Sequence, residues 1–403
     1  MSSVDVSPTE ALPTERRIIA AIWPTLLASA VGLLPFTVFS TFLVSIAGAT
    51  GNGEAAVGSL RGLGGIGAVV VGVVLAPLIG RIAPGRVAGL ALILLAVASF
   101  VGTFSWLPAL IAFCLLTGVS NALLYPALST AAADRFGSGP ASGRAATLVM
   151  TSQTLASTLG APLIVLPTLW WGWRGDLIAV AVLALALAPL LFRYGREEHA
   201  ANQTRRLGYV AAFRTLAGVP GAISLLLVAF ARAGAFMGHL AFLAPLYDDR
   251  FGLAPTTFAF VWGLSGGSFF VGHLVAGRLL NADGSDDRAH QVMILSLLTG
   301  LAALIGVYAA PALPLALAAT AVLSASHAVV AAAVVTLLVR RCADVRGTAL
   351  SLSSAGMSLG LFLGTAAAGA GLAVAGYHGA AVVLGGLTLV SLAAALTLRP
   401  RVR

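Results

Sequence analysis

Twelve long apolar runs decide what this chain can fold into. They fall near residues 18–47, 57–79, 87–104, 107–132, 145–168, 177–193, 219–246, 256–280, 289–310, 312–338, 348–375 and 379–398. A helix needs roughly 20 mostly apolar residues to cross a bilayer, with some latitude either side. The runs are too long for the strands of a membrane barrel and lack its period-two alternation. Apolar residues make up 59% of the chain and charged residues 9%, far from the roughly 45–50% and 25% of soluble domains. A water-soluble enzyme and a disordered chain are both excluded. The expected fold is an all-α membrane protein with twelve transmembrane helices, numbered here as spans 1 to 12.

The net charge is +9, and all 23 basic residues are arginine. A basic chain can signal nucleic acid, but these arginines sit in short connections between apolar runs, so no nucleic-acid partner is expected. Nineteen of the 23 fall on one side of the twelve-span layout. Only Arg174 and Arg250 fall on the other side, and Arg61 and Arg232 lie within spans. The excess of arginine marks the cytoplasmic side, so both termini are expected there. The first residues lack a charged-then-apolar signal layout, so span 1 itself is expected to direct insertion. The longest polar stretch, residues 194–218, reads as a cytoplasmic linker between bundles at 18–193 and 219–398, with tails at 1–17 and 399–403. Cys114 falls in a span and Cys342 in a cytoplasmic connection, so no disulfide is expected.

The two bundles read as diverged copies. Leu107-Pro108 opens a run reaching Ser120-Asn121-Ala122, and Leu313-Pro314 opens one reaching Ser326-His327-Ala328, at the same offset. Arg144 before span 5 matches Arg346 before span 11, and Gly80-Arg81 matches Gly277-Arg278. The pairing sets Asn121 opposite His327 near the bilayer midplane.

These features resemble the major facilitator superfamily over nearly the whole chain. Its loop 2–3 motif survives in reduced form from Gly80-Arg81 to Gly85-Arg86, with Gly80 where Asp is usual. Loop 4–5 carries Asp134-Arg135-Phe136-Gly137, followed by Arg144. Gly172-Trp173-Arg174 precedes span 6, as is common in bacterial members, and Arg346-Gly347-Thr348-Ala349-Leu350 opens span 11, as in bacterial efflux-type members. The family's drug–proton antiporters tend to carry an Arg in span 4, at the position of Cys114 here. The resemblance implies a secondary transporter in the bacterial cytoplasmic membrane, with two pseudo-symmetric six-helix bundles and alternating access. Spans 1, 4, 7 and 10 would line the solute path, and spans 2, 5, 8 and 11 would form the seam between bundles. Candidate gating and inter-bundle residues are Arg61, Gly65, Arg81, Arg86, Asp134, Arg144, Gly356, Gly360 and Gly364. Arg61, near the outer end of span 2, is expected to snorkel to the interface.

The run Gly62-Leu63-Gly64-Gly65-Ile66-Gly67 matches a dinucleotide fingerprint in letters only. That motif needs a preceding strand and an acid about 20 residues on, whereas this run lies in span 2 and the next acid is Asp134. Close helix packing through small residues is the better reading, and the same holds for Gly356, Gly360 and Gly364. The chain has no lysine, hence no P-loop. No cofactor or metal is expected.

All 14 acids fall in termini, connections or span ends. Ionisable groups inside the membrane are costly and mark function by default. Arg232 lies near the middle of span 7, with His239 seven residues on and Phe236 between them on one face. His327 lies mid-span 10. Asn121, Tyr125 and Gln153 on spans 4 and 5 complete the candidate solute-binding set. The alternative for Arg232 is a structural role, bonding helix carbonyls across the bundle. Two functional readings stay open: an efflux-type carrier, and an organic-anion uptake or exchange carrier using Arg232 as counter-charge. A membrane enzyme or receptor stands at a distance, because no nucleophile, base or metal set is clustered. The partners implied are a small solute, the lipid bilayer, and a coupling proton or counter-solute, with the protein as a monomer.

Overall fold

The structure is a computed structural model that describes residues 14–72, 82–137, 140–194, 214–281, 285–342 and 345–398. Arg81, the linker residues 195–213 and most of both tails lie outside the described residues. Among the described residues the regular structure is entirely helical, and nine helices are long and apolar enough to cross a membrane.

Span 1 comprises helices Glu15–Thr41 and Leu43–Thr50, joined at Phe42. The helix Glu54–Ser59 leads from the 1–2 connection into span 2, which tightens into a 3₁₀ turn at Leu60–Gly62 and continues as Leu63–Val70. Spans 3 and 4 are Pro84–Gly102 and Leu107–Asp134. Spans 5 and 6 share one helical run, Pro140–Tyr194. Spans 7 to 10 are Ala222–Phe251, Pro255–Asn281, Asp286–Ala309 and Leu313–Arg341. Spans 11 and 12 share Arg346–Leu396.

The duplication read from the letters is also written in the backbone. The run through spans 5 and 6 breaks at Trp171 (φ −132, ψ 17) and Gly172 (φ 59, ψ −160). The run through spans 11 and 12 breaks at Ala375 (φ −138, ψ 26) and Gly376 (φ 60, ψ −154). A positive φ with ψ near −155° is open essentially to glycine alone, which explains why each tight reversal carries one. Spans 4 and 10 also start alike, with extended Trp106 and Ala312 followed by Leu-Pro. Proline suits a first helical turn, where its missing N–H leaves no bond unmade.

Burial separates the two ends of the molecule. At the end bearing the termini, each half has its own apolar core, one around Ile22, Leu92 and Leu191, the other around Leu225, Met293 and Leu337. At the opposite end a single core takes residues from both halves, including Phe39 and Phe113 with Phe242, Phe258 and Trp262. Large apolar side chains such as Phe100, Val182, Leu295 and Val382 stay exposed on the outer faces, as a lipid-facing belt requires.

The glycines of span 11 differ from the expected arrangement. Gly360 and Gly364 press on Phe230 and Gly234 of span 7, inside their own half, and Gly356 lies nearest the Leu226 carbonyl of the same span. The seam is formed by the other face of span 11, where Ser358, Phe362 and Thr365 meet Gly62 and Gly65 of span 2. A repeat of four residues follows one helix face, but it does not say which neighbour that face will meet.

Candidate functional site

The candidate residues fall into two clusters, one in each half. In the first half Asn121 and Tyr125 lie one helical turn apart on span 4 and crowd span 1 at Gly32. A Cβ there would lie 3.1 Å from the Tyr125 hydroxyl and 3.3 Å from Asn121 Oδ1. Neither of those oxygens has a hydrogen-bond partner. Gln153 of span 5 neighbours the Tyr125 hydroxyl, though no hydrogen bond of normal geometry joins them.

In the second half, spacings of four and three residues set Arg232, Phe236 and His239 on one face of span 7. That face meets three other spans. The Arg232 guanidinium reaches the His327 carbonyl of span 10 at 3.5 Å and the Met357 sulfur of span 11 at 3.6 Å. The Phe236 ring stacks on His327, with centroids 4.8 Å apart, and on Phe269 of span 8 at 5.3 Å. His239 meets the ring of Tyr308 on span 9 edge-on at 5.8 Å.

Polar capacity is left over throughout this cluster. Arg232 is 5% exposed, His239 1% and His327 4%. A guanidinium carries five N–H donors. The contact with the His327 carbonyl lies beyond the usual 2.7–3.2 Å of an N–H···O bond, and a thioether is a weak acceptor. Nδ1 of both histidines and the Tyr308 hydroxyl have no partner. Tyr308 was not legible as a site residue, because it ends an apolar span and joins the cluster only through packing. Polar pairs that are satisfied lie in the same half: Tyr247 with Thr320, and Ser265 with Ser324, each at 2.8 Å.

The gating candidates are spread across the molecule. Arg61 does not snorkel. It is 7% exposed, with its guanidinium carbon 5.9 Å from the Phe36 ring centre and 5.6 Å from that of Trp262. The 3₁₀ turn that carries it lies in the seam, and the rings at hand take the charge that the interface was expected to take. Arg144 pairs with Glu15 at the surface and ties span 5 to span 1. Asp134 and Arg86 are exposed at the same end of the molecule. Asp176, which reads from sequence as a span end, is 1% exposed and accepts a 2.6 Å hydrogen bond from Thr168 beside the span 5–6 reversal. Cys114 and Cys342 are both buried, and neither is in a disulfide.

The sequence profile of the Major Facilitator Superfamily matches residues 25–284 and 285–403. The chain belongs to that superfamily. A chloramphenicol resistance protein of Streptomyces lividans is 33% identical to this superfamily member over 236 residues, which is 57% of each chain. The chain thus spans about 57% of the length of that curated relative. Solved structures share the fold. A bacterial homologue of the human lysosomal transporter Spinster, inward-facing and unoccupied, superposes with TM-score 0.70 at 16% identity, covering 96% of this chain and 95% of that one. A point mutant of the nucleoside transporter NupG gives 0.70 at 14% identity, covering 93% and 100%. The human organic anion transporter MFSD10 (TETRAN) gives 0.63 at 17% identity, covering 95% and 100%. The chain is therefore a major facilitator transporter with the twelve-helix fold, multi-pass in a membrane.

Proposed function

We propose that this transporter is an efflux-type carrier that moves a small organic solute out across the bacterial cytoplasmic membrane by alternating access. The export direction rests on the partial likeness to the chloramphenicol resistance protein and on the bacterial efflux-type residues of span 11. The solute site rests on one observation: among the described residues, Arg232, buried in span 7, is held by two long contacts, to His327 and Met357. A guanidinium stays charged at any workable pH, so those donors call for an acceptor on the solute. Asn121, Tyr125 and Gln153 present polar groups from the first half, and His239, His327 and Phe236 from the second.

With both termini cytoplasmic, the end where the halves share one core faces outward and the cytoplasmic end is the open one. The likeness to an inward-facing structure agrees with this reading. The test is solute flux in proteoliposomes, with chloramphenicol as the first probe, with and without an imposed pH gradient. Outward accumulation driven by the gradient supports the reading. Flux in the import direction alone removes it.

A second reading is an organic-anion uptake or exchange carrier with Arg232 as counter-charge. It is favoured by a cluster of one arginine and two histidines with no carboxylate partner among the described residues. Exchange of a labelled carboxylate, independent of pH, would select it.

A further inference from the structure

Arg61, like Arg232, is a buried cation, and it stands in the seam. Its 3₁₀ turn, Leu60–Gly62, lies where span 2 presses on the second half. Gly62 packs on Phe362 and Thr365 of span 11, and Gly58 on Phe242 of span 7. The guanidinium is clamped between rings of opposite halves, Phe36 and Trp262. Its Nη1 is buried without a hydrogen-bond partner.

Magnitudes show that the clamp is not enough. A cation–π contact is a weak attraction, strongest when desolvated. Removing an ion from water still costs several kcal/mol after relaxation. Two ring faces leave a shortfall, and burial cannot remove the charge. A further acceptor is required, and none among the described residues takes Nη1.

The level of Arg61 relates it to Arg232. Phe242 lies beside Gly58, Arg61 is three residues further along span 2, and Arg232 is ten residues back along the antiparallel span 7. At 1.5 Å per residue, the two arginines differ in level by roughly 10 Å counted along span 7 and roughly 4 Å counted along span 11, where Gly62 meets Phe362 and Thr365 while Gly234 meets Gly364. The aromatic residues Phe36, Trp262, Phe236 and Phe269 belong to the one apolar core in this region.

We propose that Arg61 is a solute-binding residue, whose Nη1 takes an oxygen acceptor at one end of a flat aromatic solute while Arg232 takes an acceptor at the other. This deepens the proposed solute site and rests on Arg232 having the role given above. The ligand class is an aromatic ring bearing an oxygen acceptor at each end, not a ring with one acceptor. Because Arg61 also touches Trp262 of the other half, the solute that engages it bears directly on the seam.

The test uses the full-length purified protein in lipid nanodiscs, with two probes that share a ring: benzene-1,4-dicarboxylate and benzoate. The wild type should bind the dicarboxylate about tenfold tighter or more, the effect of one added charge-assisted hydrogen bond. Arg61→Met should bring that ratio to about one, and Arg61→Lys should restore part of it, since the charge returns without the planar fork. A hydrophobic side chain in place of an unpaired buried charge is expected to keep or raise stability, which a melting curve of Arg61→Met checks. Arg232→Gln should weaken both probes. A wild type that shows no preference, including one that binds neither probe, overturns the proposal, and so does a preference that persists in Arg61→Met. A preference lost in Arg61→Met, together with an Arg232→Gln that leaves both probes unchanged, upholds Arg61 and removes Arg232 from the site.

Discussion

The Tyr377 hydroxyl donates a hydrogen bond to Glu54 at 3.3 Å, joining the connection between spans 11 and 12 to the connection between spans 1 and 2. This contact bridges the halves at the end where they share one core. Glu54 is held above its ordinary value of 4.5, first by burial, with the Tyr377 hydrogen bond opposing and the charges of Asp248 and Asp249 adding to the rise. The joined state therefore binds a proton at Glu54 more tightly than a parted state would. Joining is favoured most below the ordinary value of 4.5 and weakens as pH rises through the raised one. Spectroscopic distances between labels on the 1–2 and 11–12 connections should lengthen as pH rises over that window. Glu54→Gln should flatten the response. Tyr377→Phe, losing a bond of about 1 kcal/mol, should shift the populations roughly fivefold toward the parted state where Glu54 is ionised, and less where it is protonated.

Gly65 and Gly360 look alike in sequence, but their substitution should act differently. A Cβ on Gly65 meets the Ser358 carbonyl across the seam, whereas one on Gly360 meets the Phe230 carbonyl inside the second half. Gly65→Leu should leave each half folded and hold them apart, so expression and melting temperature stay near wild type while turnover falls at least tenfold. Gly360→Leu should overpack spans 7 and 11, costing about 1–3 kcal/mol or more, and appear as low yield and a lowered melting temperature. Size-exclusion profiles and melting curves of the two variants separate these outcomes.

The architecture was legible because membrane insertion writes itself in long apolar runs and in the side chosen by arginine. The duplication was legible at Leu107-Pro108 and Leu313-Pro314, where identical helix starts need identical residues. Neighbour choice was not legible. The spacing of Gly356, Gly360 and Gly364 fixes a face but not its partner, so the seam fell instead to Ser358, Phe362 and Thr365. Arg61 was misjudged for a related reason. Its distance from a span end implied an interfacial charge, while its exposure depends on Trp262, which is 201 residues away in sequence and on the other half. On the face of span 7, periodicity grouped Arg232, Phe236 and His239, but only packing brings Phe269, Tyr308 and Met357 to them.

If protons drive transport through this cluster, the histidines must carry them. Nδ1 of His239 and of His327 is buried and unpartnered. The variant His239→Asn, His327→Asn keeps polar side chains of similar reach but cannot take a proton in the working range. It should lose uphill transport on a pH gradient while keeping downhill exchange of solute. Accumulation on the gradient at the wild-type level would falsify histidine coupling.

Arg232 decides most about recognition. Sequence offered three ways to satisfy its charge: water, helix carbonyls or an acceptor on the solute. The structure supplies one carbonyl, at the long distance of 3.5 Å, and one thioether. Two weak contacts cannot occupy five donors, so the carbonyl route is incomplete. Arg232→Gln keeps a donor and a similar length but removes the charge, and the residual bond to the His327 carbonyl can still form. The protein should therefore fold with an unchanged melting temperature and lose binding of acceptor-bearing solutes by about ten- to a hundredfold, the range for one hydrogen bond to a charged group. Arg232→Lys should recover part, because the ammonium is a compact point charge without the bidentate geometry. Matched anionic, neutral and cationic aromatic compounds, titrated into purified wild type and both variants, make the measurement. A wild type that prefers cations or neutral lipophiles, bound equally well by Arg232→Gln, would leave Arg232 as a brace between spans 7, 10 and 11 and would make the carrier a multidrug exporter that does not read charge at this position.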